Sequence, residues 1–363
     1  FDLLKLDRYM AVTLQYSRGC PFQCEFCDII VTFGRRPRLK TAAQVIAEIE
    51  AIRKAGMRIV FIVDDNLIGN KRAIKEVLRE IIAWQHRHGH PLTFFTEASI
   101  DLADDAELMA LMTEANFISV FVGIESPDEA SLRESKKFQN LREGGTLLEK
   151  VHRIQDAGLE VWCGMIMGFD SDDPGVFDRQ IQFVQDAHIA FSMSGMLNAI
   201  PKTPLYDRLA SEGRLDLSDP PEYGTNIRPL QMTAEELRDG YIRVMESLYD
   251  TDAYFERTDA LFLRKGFDIG SYRGPFWRHR PLRWLQAEAV FLVGAIGLFL
   301  GLMWKVPSAS IRREYRRRFG RFLKVQRRPG LALFYLFHLA MHYHAHTMVA
   351  KIKAGEHRLV NSF

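Results

Sequence analysis

Residues 11–27 read AVTLQYSRGCPFQCEFC, a short run predicted as a strand, Ala11–Ser17, that passes directly into a loop carrying Cys20, Cys24 and Cys27. The same unit then recurs along the chain. Thr41–Ala55 has the period of an amphipathic helix closed by Gly56. Arg58–Val63, Leu92–Glu97, Phe117–Glu125, Glu160–Met167 and Ala190–Ala199 are apolar, strand-like runs. Helical patterns separate them at Lys71–Arg87, Asp104–Ala115, Gly145–Ala157 and Pro174–Ala187, and Pro204–Ser211 follows as a short helix. Six strand–helix repeats with nearly continuous apolar strands predict a parallel sheet covered by helices, an α/β fold. Six units rather than eight point to a partial, TIM-like (β/α)6 barrel, although a doubly wound open sheet has the same pattern. Polar residues gather just after the strands, at Arg18–Cys27, Asp64–Asn66, Glu97, Glu125–Ser126, Gly168–Asp170 and Pro201–Thr203. In both architectures that carboxyl edge is where chemistry sits.

The alternation ends at the Pro/Asp/Gly-rich stretch Leu217–Pro229, which divides the chain into a barrel over 1–217 and a C-terminal all-helical domain over 218–363. Thr233–Tyr249, capped by Thr233, and Asp252–Lys265 read as helices. Ala289–Trp304 is an uncharged apolar run of 16 residues, and Gly330–Ala350 a second of 21 that contains His338, His342, His344 and His346. Between them Ser308–Arg328 is rich in arginine. The formal charge of the whole chain is +2, yet residues 271–363 hold 17 Lys+Arg against 3 Asp+Glu, so an acidic body carries a strongly basic tail. Such a tail calls for an anionic partner.

With 47% hydrophobic and 26% charged residues among 363, the chain is neither disordered nor of low complexity, and four cysteines exclude a disulfide-built scaffold. Three of the four fall in a C-x3-C-x2-C arrangement, so they read as ligands sharing one metal centre. Iron–sulfur clusters take cysteine ligands, whereas zinc sites pair C-x2-C motifs across a longer spacer, and no second pair is present. A zinc site with a distant fourth ligand and three unrelated thiols are the competing readings. Cys163, inside the fifth strand, reads as a core thiol. The chain opens on Phe1 with no signal-peptide pattern after it, which suggests a fragment that lacks N-terminal sequence.

Cys20, Cys24 and Cys27, with Phe26 before the third cysteine and six β/α units behind, resemble the radical S-adenosylmethionine superfamily over about Tyr9–Leu215. The segments CDIIVTFGRRPRLKT from Cys27, IVDDN at Ile62–Asn66, VGIES at Val122–Ser126, GMIMGFDSD at Gly164–Asp172 and AIPKTPLYDRL at Ala199–Leu209 carry the resemblance further. With the tail, they are similar to the cobalamin-dependent subgroup that includes the hopanoid C-methylases. The resemblance implies a 4Fe-4S cluster held by the three cysteines, its fourth iron chelating S-adenosyl-L-methionine. Reductive cleavage would then give a 5′-deoxyadenosyl radical that functionalises an unactivated carbon. Methylation is the first reading; a radical cyclase or rearrangement enzyme and a non-catalytic, zinc-fixed interaction module are the alternatives. The subgroup places a cobalamin domain before the barrel, and no D-x-H-x-x-G signature occurs here. Either that domain lies upstream of Phe1 or the chain works without cobalamin.

The same resemblance sets Asp64, Asp65 and Asn66 against the methionine moiety, the bland alternative being a cap on the following turn. It sets Glu125 and Ser126 at the ribose, and Gly164, Gly168 and Phe169 along the adenine, with Phe26 in the same cofactor-binding group. Glu97 reads as a cofactor or substrate contact, or else a rim salt bridge. Arg35, Arg36, Arg38 and Lys40 would meet an anionic substrate or partner domain, or form a solvated loop. No side chain is assigned a catalytic role. A small-molecule or lipid substrate and an electron donor such as a flavodoxin or ferredoxin are implied.

Thiolate-bound clusters need reducing conditions, which predicts a catalytic body in the cytoplasm. In the tail, Ala289–Trp304 extends about 24 Å as a helix, short of the roughly 30 Å hydrocarbon core, and reads as a buried or interfacial helix. Gly330–Ala350 is long enough, but its histidines make it a poor lipid-facing span. Arginines interleaved with Tyr315, Phe319, Phe322 and Leu323 predict a helix lying on an anionic membrane surface, and peripheral attachment at the inner face. Nucleic acid is the less favoured partner, because the neighbouring segments are apolar. His338, His342 and His346 share one helix face and read as hydrogen-bonded, half-buried histidines ahead of a metal site.

Overall fold

The structure, a computed structural model, describes residues 5–264, 267, 277–326 and 328–355. The expected helix end at Lys265, Arg327 of the basic stretch and the last residues of the tail lie outside them.

The strands are β1 (Val12–Leu14), β2 (Ser17–Arg18), β3 (Arg38–Leu39), β4 (Ile59–Ile62), β5 (Thr93–Glu97), β6 (Phe117–Glu125), β7 (Glu160–Met167) and β8 (Ser192–Met196). Six form a parallel sheet in the order β1-β4-β5-β6-β7-β8. A doubly wound sheet reverses its strand order at a switch point. Here spatial order follows chain order throughout, so the sheet winds in one sense and the fold is the partial barrel.

Its helices are α1 (Ile29–Thr32), α2 (Ala42–Lys54), α3 (Lys71–His88), α4 (Ala106–Glu114), α5 (Glu129–Glu134), α6 (Leu147–Asp156), α7 (Val176–Asp186) and α8 (Pro204–Ser211). Local chemistry sets their ends. Thr41 and Gln44 close a reciprocal capping box on α2, and Gly89, at φ 81°, terminates α3 in the left-handed conformation. Val45, Ile49 and Ile52 of α2 recur on one face and are buried against the sheet. Val60, Ile62, Phe94, Val120, Val122, Val161 and Cys163 fill the core, each at most 1% exposed. Burial pushes the Cys163 thiol up to about 12, and its Sγ lies 3.4 Å from Ser192 Oγ.

The helical region comprises α9 (Ala234–Leu248), α10 (Thr251–Asp259), a π-helical turn at Ala260–Arg264, α11 (Pro281–Lys305), α12 (Ala309–Val325) and α13 (Pro329–Lys353). It packs along the side of the barrel, α9 against α7 and β8. Gly240 permits that approach, since a Cβ there would stand 2.1 Å from the Phe177 ring. Buried polar groups fasten the amino ends of the last two strands. Tyr249 donates to Ser192 O at 2.7 Å, and Arg257 donates to Ile189 O at 2.8 Å and Leu248 O at 2.6 Å. His338 Nε2 meets Glu160 Oε1 at 2.6 Å, both side chains being fully buried.

The tail departs from expectation in two ways. The uncharged run Ala289–Trp304 belongs to a 25-residue helix whose outer face is exposed, with Leu282 76%, Val293 71% and Trp304 82% accessible. Of the two placements expected for it, buried or interfacial, the buried one does not hold. Conversely, the aromatic residues of α12 face inward rather than toward headgroups: Tyr315 and Phe322 are fully buried, and Phe319 packs on Phe299 with ring centroids 5.3 Å apart. Arg318, 7% exposed, pairs with Asp259 and Asp252 at 2.9 Å. In the histidine stripe His338 and His342 are fully buried rather than half-buried; His342 shares a 2.7 Å hydrogen bond with Tyr315, and burial, then His346, lowers its pKa to about 3.

Burial lowers and the Glu160 carboxylate raises the proton affinity of His338, with a net rise above 6.5. A raised folded value means that its stabilising contribution is complete below the ordinary histidine range and is lost as pH climbs through the raised value. His338→Leu leaves Glu160 buried without its partner and should cost about 3 kcal/mol in urea unfolding at pH 6. His338→Leu/Glu160→Leu should recover most of that loss, and the double variant should lose less stability than the parent as pH rises from 6.

Candidate functional site

The cysteine loop starts where β1 ends, and a buried carboxylate holds it there. Asp64, 1% exposed, follows β4 and accepts from Tyr16 N at 2.7 Å, Ser17 N at 2.7 Å and Ser17 Oγ at 2.6 Å. Burial pushes its carboxyl up to about 6 against those hydrogen bonds. Its role here is the capping one, fixing the loop rather than standing open to a ligand. The loop then returns through the antiparallel ladder of β2 and β3, Ser17 opposite Leu39 and Arg18 opposite Arg38. Ser17 ends the first strand expected from sequence, whereas Arg18 and the two residues of β3 read as loop, since so short a ladder has no periodic signature.

Gly19 lies between them at φ +102°, and a Cβ would fall 2.8 Å from Gly34 O. Cys20 N donates to that same oxygen at 3.3 Å. Farther along, Glu25 is tied at both ends of its backbone, its N–H to Ser135 O at 2.9 Å and its carbonyl to Leu205 N at 3.1 Å. Its carboxylate pairs with Arg208 at 2.9 Å, and Arg208 reaches Asp170 at 2.7 Å. Arg208, within the segment Ala199–Leu209, thus couples the cysteine loop to the loop after β7.

All four cysteines are free thiols, Cys24 and Cys163 buried and Cys20 and Cys27 half-buried. Amide N–H groups address two sulfurs in the loop: Gln139 Nε2 lies 3.5 Å from Cys24 Sγ and Asn66 Nδ2 4.0 Å from Cys20 Sγ. Asn66 is fixed in turn by Ser99, its Nδ2 3.2 Å from the hydroxyl. Burial pushes the Cys20 thiol up and the Cys27 thiol up to about 12, so binding a metal there would release protons. Among the described residues, no three His, Cys, Asp or Glu side chains converge as a single ion requires. An iron–sulfur cube instead takes each thiolate on a different iron, so its ligands stand apart. Three thiols on one loop are a donor set that an iron–sulfur cluster takes.

Around the sulfurs the carboxyl edge is acidic. Asp65 receives the Gly19 N–H, while its Oδ2 is buried with no hydrogen-bond partner among the described residues. Burial, then Asp65, Asp64 and Glu125, push Glu97 up to about 7, with Lys137 pulling the other way. Glu125 takes φ 65° at a register shift between β6 and β7, and Asn140 Nδ2 holds the turn at Gly123 O, 3.1 Å, and Ile124 O, 2.9 Å. That kink turns the Glu125 carboxylate onto Lys137, 2.6 Å away. Gly123 makes room, because a Cβ would meet Glu125 Oε1 at 2.2 Å and Lys137 Nζ at 2.7 Å. Burial opposes the Lys137 charge, but Glu125 and Cys24 outweigh it and raise its pKa. Its Nζ also stands 5.9 Å from the centroid of Phe26.

Sequence reasoning missed Lys137 and Gln139. They sit in a polar stretch behind a left-handed Lys136, at φ 57°, with no motif to mark them.

The remaining expected residues divide. Ser126 is fully buried, its Oγ accepting from Asp128 N at 3.1 Å, and so acts as a turn cap. Asp172 Oδ2 accepts from Gly168 N at 2.8 Å and Phe169 N at 3.1 Å, shaping the loop after β7. Gly168, at φ +106°, leaves space for Leu237, while Phe169 packs in an apolar cluster 6.2 Å from Phe26. Gly164 lies on β7, where a Cβ would meet the Phe121 ring at 2.9 Å. Arg35, Arg36 and Arg38 are exposed, and Lys40 pairs with Glu48.

Residues 14–180 match the profile described as the radical SAM superfamily, and residues 203–358 that of a domain of unknown function, DUF4070. Residues 14–180 are a radical S-adenosylmethionine domain. The chain is 46% identical over 274 residues to an uncharacterized methyltransferase of Synechocystis sp., covering 73% of this chain and 50% of that protein. It is 42% identical over 216 residues to the hopanoid C-2 methylase of Rhodopseudomonas palustris, covering 59% and 41%. The chain therefore spans about half the length of these curated relatives. Its fold is similar to a radical S-adenosylmethionine methyltransferase from Kitasatospora setae solved with cobalamin and a 4Fe-4S cluster, at TM-score 0.56 and 18% identity over 68% of this chain and 53% of that one.

Gly19→Ala forces a left-handed backbone and a backbone clash, and should cost ~2 kcal/mol in thermal unfolding. Glu97 has a raised folded pKa, so the charged form costs stability that is progressively lost as pH rises from the ordinary carboxylate range toward 7. Glu97→Gln should therefore raise the melting temperature, and by more at pH 8 than at pH 5.

Proposed function

We propose that Cys20, Cys24 and Cys27 hold a 4Fe-4S cluster, with S-adenosyl-L-methionine at the carboxyl edge beside it, and that the enzyme methylates an unactivated carbon. The arrangement of three free thiols on one anchored loop carries this reading. When bound, these groups supply one-electron reduction and a carbon-centred radical or methyl group. The chain's own residues do the rest. Asn66 and Gln139 direct N–H dipoles at two of the sulfurs, and the Lys137 cation offsets the negative charge gathered by thiolates. Asp65 and Glu97 offer acceptors for an ammonium group, and Glu125, aimed by its left-handed backbone, offers one for hydroxyls. Phe26 and Phe169 make an apolar wall that excludes water from the same edge.

Relatives named methyltransferases and a hopanoid methylase support methylation and a lipid-like substrate. The fold shared with a cobalamin-containing structure supports cobalamin as the methyl carrier. A flavodoxin or ferredoxin is the electron donor in this reading, and a reducing cytoplasm its compartment.

Anaerobic reconstitution of the chain should yield about four iron and four sulfide per molecule. With reductant, the reconstituted protein should cleave S-adenosylmethionine. Cys24→Ser should lose most of the iron and all cleavage. Stoichiometric zinc instead, unaffected by iron and sulfide, would overturn the assignment.

A further inference from the structure

We propose that α11 docks the protein in the plane of an anionic lipid bilayer through its outer face. Pro281–Lys305 is the single helix among the described residues long and apolar enough to cross a membrane, yet 11% of its most apolar window is buried. Two different apolar faces run along it. Ala295 and Leu302 are buried, with Leu298, Phe299 and Met303 half-buried beside them, and the helix packs along α13. The opposite stripe, Leu282, Leu285, Val293, Ile296, Leu300 and Trp304, recurs at helical spacing and is 52% to 82% exposed throughout. A soluble surface rarely carries so long a continuous apolar stripe without a partner.

Charge identifies that partner. A three-residue turn joins α11 to α12, whose outer side carries Arg313, Arg316 and Lys324, all exposed and without an ion pair among the described residues. Arg283 and Lys305 lie near the two ends of α11 itself. Arg317, Arg318 and Arg321 of α12 are paired with Glu314, Asp252 and Asp259, so the unpaired Arg313, Arg316 and Lys324 are surplus positive charge on the helix that follows the apolar stripe. Basic side chains next to exposed leucine, valine and tryptophan match the surface of an anionic bilayer, with acyl chains for the stripe and headgroups for the bases. The inner face, committed to α13, and Glu288, whose carboxylate accepts from Gly330 N at 3.4 Å, keep the helix against the protein. It therefore lies along the membrane rather than through it.

The test is flotation of the full chain with vesicles of phosphatidylcholine alone or with phosphatidylglycerol. Binding should require the anionic lipid and weaken with salt. Val293→Glu/Ile296→Glu/Leu300→Glu, all at exposed positions, should lower the partition coefficient roughly tenfold or more with an unchanged circular dichroism spectrum. Arg313→Glu/Arg316→Glu/Lys324→Glu should lower it and remove the salt dependence. Flotation indifferent to the first triple variant overturns the proposal, as does a concentration-dependent dimer, seen by analytical ultracentrifugation, that this variant dissolves. Flotation is read without S-adenosylmethionine turnover, so its failure leaves the reading of the cysteine loop untouched.

Discussion

One buried carboxylate underlies the geometry of the carboxyl edge. Asp64 gathers the backbone N–H groups of Tyr16 and Ser17 and the Ser17 hydroxyl, so the chain leaving β1 turns in a fixed direction before the first cysteine. A charged acceptor of backbone hydrogen bonds is strong when water is excluded, and leaving such donors unmade would cost ~1–3 kcal/mol each. Burial offsets part of that gain, which is why the carboxyl is pushed up to about 6 even with three donors around it. The anchor costs stability to ionise and repays it in position. Gly19, Glu25 and the β2–β3 ladder then carry the same constraint along the loop.

Charge decides what the edge can hold. Asp65, Glu97 and Glu125 crowd together, and Lys137 is the cation placed among them, paired to Glu125 at 2.6 Å. An acidic rim attracts a cationic ligand, while one lysine close to the sulfurs favours thiolates. The two tendencies are separated in space by the kink at Glu125, whose left-handed backbone turns one carboxylate away from the others and onto the lysine. A sulfonium cofactor with an ammonium group suits the first feature, and an anionic thiolate-ligated cluster the second. Tyr249, Arg257 and His338 fasten the helical region to the amino ends of β7 and β8, at the opposite end of the strands from this edge.

Much of the fold was legible in the sequence, since parallel strands buried on both faces are apolar throughout and leave a strong signal in Phe117–Glu125 and Glu160–Met167. The cysteines were legible as a group by spacing alone. What escaped has a common cause: it depends on contacts between distant segments. The two-residue strands β2 and β3 have no period, Lys137 reaches Glu125 through a left-handed turn at Lys136, and Gln139 finds Cys24 across 115 positions. Asp64 was visible, but a cap and a ligand look alike until the donors are placed. In the tail the charged flanks hide the helix length: Ala289–Trp304 is the uncharged part of a longer helix, Pro281–Lys305, whose charged residues sit near the ends and on the inner face. Likewise, the aromatic residues of α12 alternate with arginine in sequence but not in space.

The central claim is that three thiolates of one loop hold an iron–sulfur cube with a corner free for a sulfonium cofactor. Electron paramagnetic resonance of the anaerobically reconstituted, dithionite-reduced protein tests it most directly. The account predicts a reduced-cluster signal whose shape changes when S-adenosylmethionine is added and which is absent from Cys20→Ser. A signal indifferent to the cofactor would mean that no corner is open, and a silent protein with its thiols still titratable would mean that no cluster is held at all.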